Sequence, residues 1–513
     1  VSSPRWRFVW SWAGVTGEAT DVAPSFTQSA DLYGEVDTES SVRIAFRLRG
    51  VRSVAAVVNG GIPLYTGTGD LYLGDVLVMS GRWAAESEYG ADDEPIEVVL
   101  SERWDDDGAL WPPLGELPRT TAAAASDQLA GVRPGIVSSR TWPLKVHASG
   151  AGAGYPLVIG KPGSSAFPGA PAPVKADASV TAISVIAHAA PTTGTVLLWG
   201  PARTVDATSS DVGSGLVSAS VNLSTSTDSL GCSVSSVAFN ATAAGLPGWS
   251  ASGASYFTSW SGTAAGISEG AGDVLLAALG STAARVDVGS VQACRTALNR
   301  YELAGYADDR VSAITWAQRQ LRPILPMALV PGPGGLTATL WPWLDQAEDH
   351  RYDLVEGPGF ARASRVTCSH AGGASAIRVT YGWCPSEGLC VHERTASAVD
   401  SPRARGAASL LGSTGSVQTV ETRLVWDHVT AERIASDRLA IGSVPRRTVA
   451  YLCNPGVYGS GGRLELRVGL PLLLTDTGLR LARVPAFVRR IERSGDELRV
   501  DIDLRDDVLR PLG

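Results

Sequence analysis

Methionine is almost missing from this chain of 513 residues, which has 2, and cysteine and histidine number only 6 each. Six cysteines over such a length cannot make the disulfide framework of a small secreted domain, so a reducing, cytoplasmic place of synthesis is expected. Charge is sparse as well, at 18% of residues with a net charge of -8. That balance excludes wrapping nucleic acid, because counterion release needs clustered lysine and arginine. No apolar run approaches the ~20 residues of a membrane helix. The opening VSSPRWRFVW lacks the apolar stretch and cleavage pattern of a signal peptide, and a trimmed initiator methionine before Val1 is the expected account of it. No period of about 20 to 50 residues recurs, which excludes solenoids and propellers.

What is present is 57 Gly, 30 Pro and 15 Trp, a profile of many turns and few long helices. Hydrophobic residues at 44% describe a globular chain. Its length suggests three or four domains at about 150 residues each. The fold class expected is mainly β and multidomain, α+β overall, with antiparallel barrel or sandwich domains and a small helical insert.

Residues 1–118 read as an N-terminal β domain. The alternation of Val42, Ile44, Phe46 and Leu48 with arginines between most of them marks a half-exposed strand. SVAAVVNGG and IPLYTGTGD read as further strand runs, with turns at Asn59 to Gly61 and at Gly67 to Asp70. DDDGALWPPLGELP, from Asp105 to Pro118, reads as a linker or surface loop. Residues 119–173 form an extended connector rich in Gly and Pro. Residues 174–265 read as a β module nearly free of charge, a possible insertion that either packs against partners or forms a modest sandwich edge.

A small α+β domain is expected over 266–345. Val274, Leu275, Ala278 and Leu279 share one helical face that Gly280 ends. A second helix follows Ser312 and stops before Pro323, and a hairpin turns at PGPGG. Residues 346–513 read as a C-terminal β-rich domain. It is interrupted by the helix TAERIASDRLAIG, which Thr430 would cap and whose Ile434, Leu439 and Ala440 would pack on the sheet.

Chemistry is thinly represented. The candidate metal ligands are Cys368, His370, Cys384, Cys390 and His392, in two Cys-x-His pairs around the loop CPSEGLC. Positions i and i+2 of a strand share a face, so each pair would present thiolate and imidazole together. The same spacing admits a Cys384–Cys390 disulfide or unpaired structural cysteines, and the structural reading carries most weight. No cofactor beyond that metal is expected. Cys232, Cys294 and Cys453 lie in ordinary contexts, and no G-x-S-x-G elbow is present. GPGG at Gly332 to Gly335 and GSGG at Gly459 to Gly462 lack the Lys-Ser/Thr ending of a phosphate loop. Asp105 to Asp107, Glu348 and Asp349 read as solvated acids rather than a glycosidase pair. Trp6, Trp10, Trp12, Trp249, Trp260, Trp341 and Trp343 suit stacking on sugars, yet alternation within a strand is more often a core or interface anchor.

Four segments carry a family resemblance. They are LVMSGRWAAESEYGADDEPIEVVLSE from Leu77, YPLVIGKPG at Tyr155 to Gly163, the stretch from GDVLLAALG to GGLTATLW, and the C-terminal GLRLARVPAFVRRIERSGDELRVDIDL. Together they resemble the baseplate or tail-tip hub proteins of tailed bacteriophages and gene transfer agents. The resemblance implies a non-enzymatic virion subunit and a homotrimer whose paired β domains make a pseudo-sixfold ring. Its partners would be tail-tube or distal tail proteins on one side and a central spike or fibres on the other. DNA would pass during genome ejection without stable binding, and no membrane span is implied. The alternative is a tail protein that binds or depolymerises host surface glycan.

Overall fold

The computed structural model describes 5–20, 22–33, 39–51, 53–91, 94–101, 110–111, eight strands between 157 and 260, 269–280, 286–307, 311–332, 335–341, 352–369, 374–384, 389–397, 416–442, 446–458, 464–494 and 497–504. Its N-terminal unit contains β1 (Trp6–Trp12), β2 (Val15–Thr20), β3 (Ser25–Asp31), β4 (Glu39–Phe46), helix α1 (Val54–Asn59), β5 (Thr68–Leu73), β6 (Val76–Trp83) and β7 (Ile96–Ser101). The strands pair antiparallel in the order β2-β1-β5-β6-β7-β4-β3. Period-two alternation sends Phe8, Trp10 and Trp12 of β1 inward to meet Val42, Ile44 and Phe46 of β4, and all six are buried.

Two sequence expectations change in this unit. SVAAVVNGG is a helix rather than a strand, because the Ser53 hydroxyl accepts from Ala56 N–H and caps α1. The turn expected at Gly67 to Asp70 is instead the entry to β5. These glycines serve packing: a Cβ at Gly67 would fall inside the Trp83 indole, and one at Gly69 inside the Phe8 ring. Gly17 and Gly69 flank Trp10 in the two adjoining ladders.

The central elements begin with β8 (Leu110–Trp111), so the acidic, Pro-rich linker contains a short strand. Then come β9 (Leu157–Ile159), β10 (Ala172–Ala176), β11 (Ala182–His188), β12 (Thr195–Trp199), β13 (Leu216–Ser220), β14 (Leu223–Thr227), β15 (Ser233–Asn240) and β16 (Tyr256–Trp260). Helices α2 (Ala271–Gly280) and α3 (Val288–Leu298) precede β17 (Gly305–Ala307), β18 (Val311–Ser312) and the hairpin β19 (Met327–Gly332) and β20 (Gly335–Leu340). β8 pairs with β18, and β9 bridges β11 to β17, which ties the low-charge sheet to the helical region. α3 went unread in the sequence, although Asp287 caps it and Val291, Cys294 and Leu298 form its buried face. The helix after Ser312 starts as expected and widens into a π turn over Ala317–Leu321.

The C-terminal elements are β21 (Asp353–Val355), β22 (Phe360–Arg362), β23 (Thr367–Ser369), β24 (Ala374–Cys384), β25 (Leu389–Ser397), β26 (Ser416–Glu421), α4 (His428–Gly442), β27 (Arg446–Cys453), β28 (Pro471–Asp476), β29 (Leu481–Ser494) and β30 (Glu497–Leu504). β24, β25 and β26 form a separate sheet under α4, and Ile377, Val379, Ile434 and Leu439 belong to one core with α2 and α3. Residues 271–338 thus share a core with 374–439. The cap of α4 is Asp427, whose carboxylate accepts from Thr430 N–H at 2.7 Å, and not Thr430 itself. Thr430 is buried, and its hydroxyl accepts from Glu302 N–H.

β29 organises the whole. Its first half pairs with β28 and its second half with β3, while β30 runs along its other edge. A register shift between Val488 and Arg490 bends it between the two tasks. The N-terminal strands therefore continue through β29, β30, β27 and β22 into one 14-stranded sheet among the described residues.

Candidate functional site: the junction of two β units

The N-terminal and C-terminal β units have separate cores, one built on Phe8, Trp10, Trp12 and Trp83 and the other on Phe360, Tyr451, Leu472 and Val500. They meet edge to edge along β3 and β29, where Asp31 lies opposite Arg490 and Thr27 opposite Ser494. Over this seam the β19–β20 hairpin seats a third element. Ala30, Leu32, Ala328, Val330, Trp341, Val468 and Phe487 make a small apolar cluster drawn from all three parts. Trp341 locks it by donating its indole N–H to Leu32 O at 3.2 Å. Tyr33 stands edge-on to both Trp341 and Phe487, at 5.9 and 6.4 Å between centroids.

Beside these rings lies a buried polar group. Asp31 accepts from Tyr33 N–H at 2.8 Å and sits 3.7 Å from the Arg489 guanidinium. The Arg446 guanidinium covers the Tyr33 ring at 4.2 Å. Across the β27–β30 ladder, Thr448 donates its hydroxyl to Asp503 at 2.5 Å. Burial pushes the Asp503 carboxyl up to about 6, against the Thr448 hydrogen bond and the charges of Arg489 and Arg446. Burial also raises the Tyr33 phenol. The arrangement has no nucleophile with an adjoining base. Its chemistry is that of a clamp, in which apolar rings set the distance between units and paired charges set their register.

The residues singled out from the sequence do not gather here. Cys368 is exposed on β23, opposite Arg447 of β27. His370 lies outside the described residues. Cys384 ends β24 opposite Leu389, whereas Cys390 is opposite Trp383 and is a free thiol. Cys390 contacts Thr422 O at 3.5 Å, and burial pushes its thiol up to about 11. His392 packs between Tyr381, tilted at 5.5 Å, and Trp426, edge-on at 6.3 Å between centroids. Among the described residues no group of three or more His, Cys, Asp or Glu is placed to hold a metal. Trp10, Trp12 and Trp341 are buried in cores, which removes them as sugar platforms. Trp249 and Trp343 fall outside the described residues.

Sequence reasoning missed Asp31, Tyr33, Arg446, Arg489, Arg493 and Asp503. The available signal was charge at strand positions that alternate with apolar ones. In DIDL, Asp503 is as buried as Ile502 and Leu504, yet alternation alone assigns it to the wet face.

The class this fold defines is a mainly β, multidomain chain with a helical insert, built around a sheet that spans two units. No protein-family model and no curated protein matches the chain. Among solved structures it is similar to the 43 kDa tail protein of prophage MuSo2 from Shewanella oneidensis, at 9% identity and a TM-score of 0.38 over 98% of this chain and 99% of that one. It is also similar to the tail protein from Neisseria meningitidis MC58, at 10% identity and a TM-score of 0.36 over 99% and 98%. A chain in the virion of a native gene transfer agent particle shares 12% identity at a TM-score of 0.42, over 71% of this chain and 87% of its own length.

Proposed function

We propose that this chain is a non-catalytic structural subunit of a phage-type tail, acting as the hub at the tail tip. Three copies form a ring that joins tube or distal tail proteins to a central spike or fibres. The observation that supports this most is the edge-to-edge union of two separately cored β units through β3 and β29. One chain that holds two β units in a fixed relation supplies six such units when three copies close. A threefold assembly then presents a near-sixfold face. Closure also covers exposed strand edges such as β2, whose only ladder partner among the described strands is β1. The ring leaves a central passage for DNA, and the acidic net charge keeps the wall from adhering to it.

The test is the oligomeric state and image symmetry of the purified chain. Light scattering at micromolar concentration is expected to give three copies, and electron-microscopy class averages a ring with six similar lobes. Each interface is expected to exceed about 2,000 Å². A monodisperse monomer across the same concentrations overturns the reading.

A further inference from the structure

A pocket of about 310 Å³ opens at the seam between the β units, beneath the tip of the β19–β20 hairpin. Its floor carries Gln28 and Ala30 of β3 and Ile491 and Arg493 of β29, directly opposite one another in the ladder. Arg493 is the unusual member. It is only 4% exposed, and its Nη2 is buried with no hydrogen-bond partner among the described residues. Its guanidinium lies 4.9 Å from the Phe26 ring centre and 5.9 Å from that of Trp6. Those rings attract the cation through their faces but accept none of its in-plane hydrogens. A desolvated guanidinium with a free donor, lining a pocket, is a ready half of a charge-assisted pair.

We propose that this pocket binds a carboxylate carried on a short apolar stem, with Arg493 as the anchor and Gln28 beside it. The surrounding chemistry selects that class. Arg467 at the lining stands against Glu465, which leaves Arg493 to balance one negative charge, and Asp287 would repel a dianion such as phosphate. The Asp287 carboxylate is already engaged by Ser290 N–H at 3.1 Å. Burial raises the pKa of Glu465, and the charge of Arg467 opposes that rise. Ala30, Val330, Ile491 and Leu498 supply the apolar wall for the stem. The inference stands on the pocket alone and does not depend on the tail-hub reading.

Calorimetric titration of the full chain with 4-methylpentanoate is the test, with 4-methylpentanamide as the uncharged counterpart. Saturable binding of the acid is expected, with affinity reduced about tenfold or more for the amide and for Arg493→Met, as for loss of a charge-assisted pair. Arg493→Lys is expected to fall between them. If Arg493→Met does not fold, Gln28→Leu and the acid-against-amide comparison on the wild type decide. Absence of acid binding at millimolar concentration, or equal binding of acid and amide, overturns the proposal. Two sources of the natural carboxylate are separated by native mass spectrometry. A small acid copurifies as added mass, whereas a side chain from a second copy makes the assembly dissociate in 4-methylpentanoate.

Discussion

The two β units joined by β3 and β29 fill their interiors differently. The N-terminal core is aromatic: Phe8, Trp10, Phe46 and Trp83 pack at tilted or edge-on angles with centroids 5.0 to 6.0 Å apart. It makes room by deleting side chains, at Gly17 against Trp10, Gly67 against Trp83 and Gly69 against Phe8. The C-terminal core is largely aliphatic and carries a buried carboxylate. Asp476, with its side chain fully buried, accepts from the Tyr451 hydroxyl and from Leu479 N–H at 2.9 Å each, and Arg362 lies 3.4 Å away. One sheet therefore joins a unit specified by shape to a unit specified by hydrogen bonds. Shape fails through cavities and overpacking, whereas a polar network fails through unpaired donors and through pH.

The largest expected effect is in the aromatic unit. Trp10→Ala removes a side chain that is 1% exposed and is expected to cost about 3–5 kcal/mol in denaturant unfolding, while the exposed Thr16→Ala on the neighbouring strand stays within about 0.5 kcal/mol. Equal costs at the two sites would break the shape argument. Next comes Asp476→Ala, which leaves the Tyr451 hydroxyl and Leu479 N–H unpaired and is expected to cost about 2–4 kcal/mol.

Acid sharpens the same contrast. Burial works to raise the Asp476 pKa, but the Leu479 N–H, the Tyr451 hydroxyl, Glu356 and Arg362 outweigh it and hold the carboxyl below its ordinary 3.8. Its stabilisation is present above that ordinary value and is lost as pH falls through the lower folded value. Wild type and Asp476→Asn should then converge in strong acid.

Asp503 has the opposite sign. Its folded pKa, about 6, lies above the ordinary 3.8, so the folded chain binds the extra proton between those values. Stability from this group is fully present below the ordinary value and is lost as pH rises to 6, by up to about 3 kcal/mol at 1.36 kcal/mol per unit. Asp503→Asn is expected to flatten that slope and to be at least as stable as wild type at pH 7, as read from unfolding midpoints between pH 4 and 7. A wild-type slope unchanged by the substitution would remove the carboxyl from the junction's electrostatics.

The smallest effect is chemical. Among the described cysteines, maleimide is expected to modify the exposed Cys368 first, with Cys390 and Cys453 slow because burial pushes their thiols up to about 11 and about 12. Labelling of Cys453 as fast as Cys368 would show that the C-terminal unit opens.

Much of the strand and helix content was legible because it is a local property. Val42, Ile44 and Phe46 announce a half-buried strand by alternation, and the buried Val274, Leu275, Ala278 and Leu279 announce α2 by helical spacing. Where local cues are weak or ambiguous, reading failed. VAAVVN suits a strand by composition, and only the Ser53 cap makes α1 a helix. Asp287 marks α3, but the stripe of Val291, Cys294 and Leu298 is too narrow to stand out. Glycine at Gly67 and Gly69 looks like a turn until the distant aromatic rings are seen to occupy the missing side chains.

Composition and periodicity by themselves determined that this chain is mainly β, rich in turns and without a local catalytic motif. Those properties follow from residue type and from neighbours one to four positions away. Tertiary structure alone decided that β3 lies beside β29, that Leu32 receives the Trp341 indole N–H, and that Arg493 faces Gln28 across the seam of two units. Each of these joins residues hundreds of positions apart. No local period encodes such a pairing; it is selected only when the whole sheet closes its ladder and buries both faces together.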